Sequence, residues 1–149
     1  MTIEVAVQFA VDDDGLPTAA DFQRWVAAAL GDRSDAELAV RVVGRAESRR
    51  LNATYRGKDT PTNVLSFPAE LPPGVDLPLL GDIVICAPLT VEEARSQHKA
   101  LADHWAHLTV HGVLHLLGHD HQDDEEAAEM EALETRILTT LGLADPWRT

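Results

Sequence analysis

A segment that reads as a buried helix, and that carries two histidines four residues apart, constrains this 149-residue chain more than any other feature. From about Asp103 to Leu117, the residues Trp105, Leu108, Val110, Val113, Leu114, Leu116 and Leu117 leave almost no polar side, so the helix is expected to be enclosed by the rest of the domain. His111 and His115 share one face of it, because an α-helical turn closes after about 3.6 residues. Two neighbouring imidazoles in an apolar setting need a shared partner or they carry a desolvation penalty. Gly118 supplies the left-handed backbone that ends helices, so the chain can fold back. His121 would then meet the last turn near His115 and His111, one turn short of His107. Three converging imidazoles with a fourth position open to water are the donor set of a catalytic zinc site. His111, His115 and His121 are therefore expected to hold one Zn2+ per chain. His107 is expected in the core or behind the ligands, and His98, His104 and His119 in surface or structural roles. Asp120 either orients an imidazole or belongs to the turn.

The spacing His-x-x-x-His-x-x-Gly-x-x-His is shared with a large class of zinc proteases, whose general base is a glutamate directly after the first histidine. Here that position is Gly112, so the ligands are present and the protease base is missing. Glycine inside a helix is disfavoured by about 1 kcal/mol relative to alanine. A close approach to another element, or to substrate, would account for it.

Elsewhere the pattern alternates between strands and helices. Ile3, Val5, Val7, Phe9 and Val11 alternate with mostly polar or small residues, which predicts a half-buried strand. Asp12-Asp13-Asp14-Gly15 reads as a solvated turn, since it lacks the spacing of a calcium loop. Thr18 is positioned to cap a helix whose stripe is Phe22, Trp25, Val26, Ala29 and Leu30, stopped at Gly31. Leu38, Val40 and Val42 predict a second strand. A helix follows over Ala46 to Tyr55, a short strand over Val64 to Phe67, and a proline- and glycine-rich loop from Pro68 to Pro78. The apolar run Ile83 to Cys86 suits a central strand, with Cys86 as a packed small hydrophobe. Thr90-Val91-Glu92-Glu93 has the form of a capping box opening another helix. The last helix begins in Asp123 to Glu126 and carries Met130, Leu133, Ile137 and Leu141, closed by Gly142. The expected fold is α/β (or α+β): a single compact domain over residues 1–149, with a mixed sheet of about four strands packed against four or five helices.

A hydrophobic content of 45% is ordinary for a globular domain, and a lone cysteine excludes an internal disulfide framework. No basic segment followed by an apolar run opens the chain, and no segment is apolar enough to span a bilayer, so a cytoplasmic protein without membrane contact is expected. The net charge of −13 argues against holding nucleic acid by the overall field. One stretch runs the other way: from Arg41 to Lys58 there are six cations and a single carboxylate, Glu47. It is either a solvated helix face or a local polyanion site. The eight acids between Asp120 and Glu134 are expected to be a solvated face.

Residues 111–121 read His-Gly-x-Leu-His-Leu-x-Gly-x-Asp-His. Upstream stand Leu51-Asn52-x-x-Tyr55-Arg56-Gly57-Lys58-Asp59-x-Pro61-Thr62-Asn63-Val64-Leu65-Ser66-Phe67-Pro68 and Gly81-Asp82-Ile83. Together these motifs resemble the YbeY family of bacterial zinc-dependent endoribonucleases that mature ribosomal RNA, over a stretch from about Leu51 to Pro146. His119 stands where many members have tyrosine. The resemblance implies a metal-dependent single-strand endoribonuclease acting at the 3′ end of small-subunit ribosomal RNA, with a role in ribosome assembly and quality control. It implies ribosomal RNA, small-subunit ribosomal proteins and an assembly GTPase as partners, and His111, His115 and His121 as metal ligands. It also maps the family's functionally important arginine onto Arg56. The chemistry is compatible. Arg56, with Lys58, can bind the scissile phosphate and stabilise charge on it, and Arg49 and Arg50 extend the cationic run toward the substrate. The catalytic groups would be Arg56 and a zinc-bound water. The 2′-hydroxyl of RNA and a metal hydroxide both remain candidate nucleophiles. Two other classes compete: a non-catalytic zinc-containing ribosome assembly factor, and a zinc peptidase, which would need a carboxylate beside the metal water.

Overall fold

The computed structural model describes residues 2–12, 14–33, 35–75, 77–119 and 122–143. In chain order the elements are β1 (Thr2–Phe9), α1 (Ala19–Leu30), β2 (Asp35–Val43), α2 (Arg45–Arg56), β3 (Val64–Pro68), β4 (Leu79–Cys86), α3 (Ala87–Ser96), α4 (Leu101–Leu116) and α5 (Asp124–Thr140). The four strands form one sheet in the order β1-β2-β4-β3. β1, β2 and β4 run parallel, and β3 lies antiparallel along β4 with Ser66 opposite Ile83. This is the mixed α/β sheet that the alternating pattern predicts, with five helices among the described residues.

Strand alternation divides the core in two. Leu38, Val40 and Val42 of β2, with Ile83 and Ile85 of β4, point into a large layer shared with α1, α4 and α5. There Phe22 meets Trp25 and Trp105 edge to face, at centroid separations of 5.5 and 6.1 Å. Intervening residues such as Val43, Val84 and Cys86 face the other side and pack with Leu65, Leu51 and Leu89. Cys86 is the small buried hydrophobe expected, and burial pushes its thiol pKa up.

Local signals set most boundaries. The Thr18 hydroxyl accepts from the Asp21 N–H, and the Asp21 carboxylate accepts from the Thr18 N–H, which is the reciprocal capping box at the start of α1. The capping box expected at Thr90 does not form. α3 starts earlier, at Ala87, with Pro88 in its first turn, where a missing N–H does no harm. Thr90 therefore lies inside the helix, fully buried, and its hydroxyl donates back to the Cys86 carbonyl at 2.8 Å. β4 also begins sooner than the apolar run, at Leu79. At Gly81 (φ +138°) a Cβ would come within 2.2 Å of the Phe67 carbonyl oxygen, so only glycine lets β3 and β4 pair there. Among the described residues no helix is long and apolar enough to cross a membrane.

Candidate active site

α4 is the buried helix predicted from its composition, and its seating decides where its histidines open. Gly112 lies against β4: a Cβ there would stand 2.9 Å from Ile83 Cγ2, with two further Ile83 carbons at 3.2 and 3.3 Å. The Ser66 hydroxyl of β3 donates to the Gly112 carbonyl at 3.0 Å. The glycine that sequence alone leaves unexplained is thus a close approach between helix and sheet. At the position that carries the base in zinc proteases, even a methyl group would press on Ile83.

His111, directly before this contact, and His115, one turn after it, face an open cleft of about 740 Å³. Ser66 and Asn63 line another part of it together with Arg56, while Gly118, His119 and Gln122 border it beyond the end of α4. The two imidazoles present their Nε2 atoms to each other at 3.0 Å. Tetrahedral zinc with Zn–N bonds of about 2.0–2.1 Å holds its nitrogens roughly 3.3 Å apart, so the pair, here at hydrogen-bond distance, would open by only about 0.3 Å to share one ion. Among the described residues no third donor completes the set. His121 and Asp120, the expected third ligand and its neighbour, lie outside the described residues.

Behind the pair stands a residue the acidic reading of the C-terminal run passed over. Glu134 of α5 is 1% exposed, not part of a solvated face. One carboxylate oxygen accepts from His111 Nδ1 at 2.5 Å and the other from His107 Nε2 at 2.9 Å. Burial alone would raise the carboxyl pKa, but the hydrogen bonds from His107 and His111 outweigh it and hold the group at about 2. A carboxylate can only accept, so His111 carries its proton on Nδ1 and leaves the Nε2 lone pair facing the cleft. His107 is therefore buried behind the site, as its position one turn before His111 suggests. The signal for Glu134 was present: it falls on the stripe Met130, Ile137, Leu141, where an acid has no business unless partnered.

Arg56 ends α2, and Gly57 in the left-handed conformation (φ 72°) turns the chain away after it. Its guanidinium lies over the Phe67 ring, 5.4 Å from the centroid, while Nη2 donates to the Ser66 carbonyl at 2.8 Å. Ser66 thus contacts both Arg56 and the His-bearing helix. The structure brings Arg56, His111 and His115 to one cleft. Arg49, Arg50 and Lys58 are not among the residues that line it. Arg49 makes a bidentate pair with Asp59 (2.7 and 2.9 Å), Arg41 with Glu47 (2.6 and 3.0 Å), and Arg45 pairs with Glu92 at 2.5 Å. Much of the basic run is thereby internally balanced. His104 is structural: its Nε2 meets Glu93, which also accepts from the Asn63 amide at the entry to β3.

Comparison with known proteins converges on one family. A family model described as Endoribonuclease YbeY matches residues 10–142. The chain is 62% identical over 152 aligned positions to the Endoribonuclease YbeY of Alkalilimnicola ehrlichii, covering 98% of this chain and 92% of that protein. The solution structure of TM1509 from Thermotoga maritima superposes with a TM-score of 0.54 at 23% identity, over 97% of this chain and 99% of the other. At that identity the likeness is one of fold.

Proposed function

The chain belongs to the Endoribonuclease YbeY family, and from that membership we propose that it is a zinc-dependent endoribonuclease that cuts single-stranded ribosomal RNA. Its proposed place of action is the 3′ end of the small-subunit RNA during ribosome assembly and quality control, in the cytoplasm. Small-subunit ribosomal proteins and an assembly GTPase are its proposed partners. One observation carries the reading: two imidazole nitrogens 3.0 Å apart and an arginine anchored by a main-chain carbonyl share a single open cleft. His111 and His115 would hold the ion, with His121 as the proposed third ligand. A bound zinc would supply Lewis acidity toward a phosphoryl oxygen and lower the pKa of coordinated water towards about 7.

The remaining work falls to the chain. The Arg56 guanidinium, steadied on Phe67 and the Ser66 carbonyl, has donors left to grip two phosphate oxygens and to stabilise charge as it develops there. With Gly112 seated against Ile83, no carboxylate among the described residues stands where the peptidase alternative needs its base.

The test is cleavage by purified protein of matched single-stranded and duplex RNA, with casein and short peptides as controls. Cutting of the single strand that disappears in His111→Ala and on chelation, and returns with zinc, is expected. RNA binding without any cut in zinc-replete protein would leave a non-catalytic assembly factor. Peptide hydrolysis lost in His115→Ala would reinstate the peptidase.

A further inference from the structure

Glu134 is an expensive residue for a core. A carboxylate at 1% exposure gains its place only through good partners. Its neighbours on the same helix stripe, Met130 and Ile137, are apolar, so packing alone would be served by leucine. What leucine cannot do is choose a tautomer. Neutral imidazole carries its proton on either ring nitrogen, and only one choice turns the Nε2 lone pair of His111 toward His115. With one oxygen fixed on His107 Nε2 and the other on His111 Nδ1, the carboxylate cannot rotate away, and it excludes the wrong tautomer of His111 by offering no hydrogen to a bare Nδ1.

We infer that Glu134 is the positioning residue of the site, locking the ring orientation and Nδ1–H tautomer of His111 so that its Nε2 is delivered to a metal ion, with His107 as the strut that locks Glu134. The inference rests on the proposed metal site. It assigns a function to an α5 residue far from the histidine motif in sequence, and it makes that helix part of the site.

The experiment follows zinc affinity by competition with a chromophoric chelator, the tautomer of His111 by its ring nitrogen chemical shifts in metal-free protein, and thermal unfolding of metal-free protein, all in the full chain. Glu134→Gln keeps the shape but has a single acceptor oxygen, and its amide nitrogen donates toward one imidazole. It is expected to weaken zinc binding about 10- to 100-fold, the range typical when such an outer partner is removed, with mixed tautomers at His111. Glu134→Leu should weaken zinc at least as much, and it lowers metal-free stability as well because the His107 and His111 ring N–H groups lose their acceptor; Glu134→Asp should recover part of the affinity. Zinc affinity within threefold of wild type in both Glu134→Gln and Glu134→Leu, with the His111 shifts unchanged, would overturn the inference and leave Glu134 as a helix–helix contact. Failure of the site itself looks different: wild type would bind no zinc, or His111→Ala would bind as well as wild type.

Discussion

Gly112 shows how a single missing atom sets both the packing and the chemistry. Alanine there gains about 1 kcal/mol of helix propensity, but its Cβ would press on a fully buried Ile83. Overpacking of this kind costs about 1–3 kcal/mol, so Gly112→Ala is expected to lower stability by about 1 kcal/mol overall. In combination with Ile83→Ala the loss should be smaller than the sum of the two, which a double-mutant cycle in urea measures; strict additivity would show that the two residues do not press on each other. At Arg56 the expectation is kinetic. Arg56→Ala should reduce cleavage far more than RNA affinity, with folding unchanged, and Arg56→Lys should recover only part, because one ammonium cannot hold Ser66 O and fork onto phosphate together. Wild-type turnover in Arg56→Ala would reduce it to a surface charge. The histidine pair was legible from the sequence because its spacing is local and helical. The constraint on Gly112 was not, since it lies in a contact with a strand some thirty residues away; for Glu134 the apolar stripe signals burial, but its partners, on another helix, are not visible in the sequence.

At the scale of elements, the boundaries that came through were those written in short-range chemistry: Thr18 with Asp21 at the start of α1, and the acidic opening of α5, where Asp123 accepts from the Glu126 N–H at 2.8 Å. The α3 start did not come through, because Pro88 competed with Thr90 for the first turn and the strand-to-helix junction left no loop between them. Glu93, which sequence placed in a cap, instead joins three elements, accepting from Asn63 before β3 and meeting His104 of α4. His104 gives that junction a pH dependence. Burial holds its pKa below the ordinary value near 6.5, outweighing the opposing pull of Glu93, so the unfolded chain takes up a proton at this site before the folded chain does. The stabilising effect of neutral His104 is therefore whole above about pH 6.5 and is lost as pH falls toward and through the lower folded value. Between about pH 7 and 5, wild-type protein should lose stability more steeply than His104→Gln, as read from urea midpoints at each pH. Parallel slopes for the two proteins would remove His104 as a source of acid sensitivity.

For the whole molecule, the sign of the charge was plain from composition, whereas its pairing became visible only in the fold. A net charge of −13 gives RNA no general attraction, and the six cations from Arg41 to Lys58 look in sequence like a patch strong enough to compensate. Three of them, Arg41, Arg45 and Arg49, are matched to Glu47, Glu92 and Asp59. Arg50, Arg56 and Lys58 form no ion pair among the described residues, and they are the ones left to neutralise phosphates. Each phosphate neutralised on a single strand contributes about 0.7 to the slope of log affinity against log salt, so three cations give a shallow slope of roughly 2. Arg50→Ala and Lys58→Ala should each flatten it by about 0.7. Arg49→Ala should change it least, because the arginine must first leave a bidentate carboxylate. Fluorescence titration of a labelled single-stranded RNA from low to physiological salt, under conditions that prevent cleavage, measures all four slopes. A wild-type slope near 4, or a loss in Arg49→Ala equal to that in Lys58→Ala, would mean that the surface pairs open when RNA binds and that the whole basic helix, not its end beside the cleft, is the RNA-binding face.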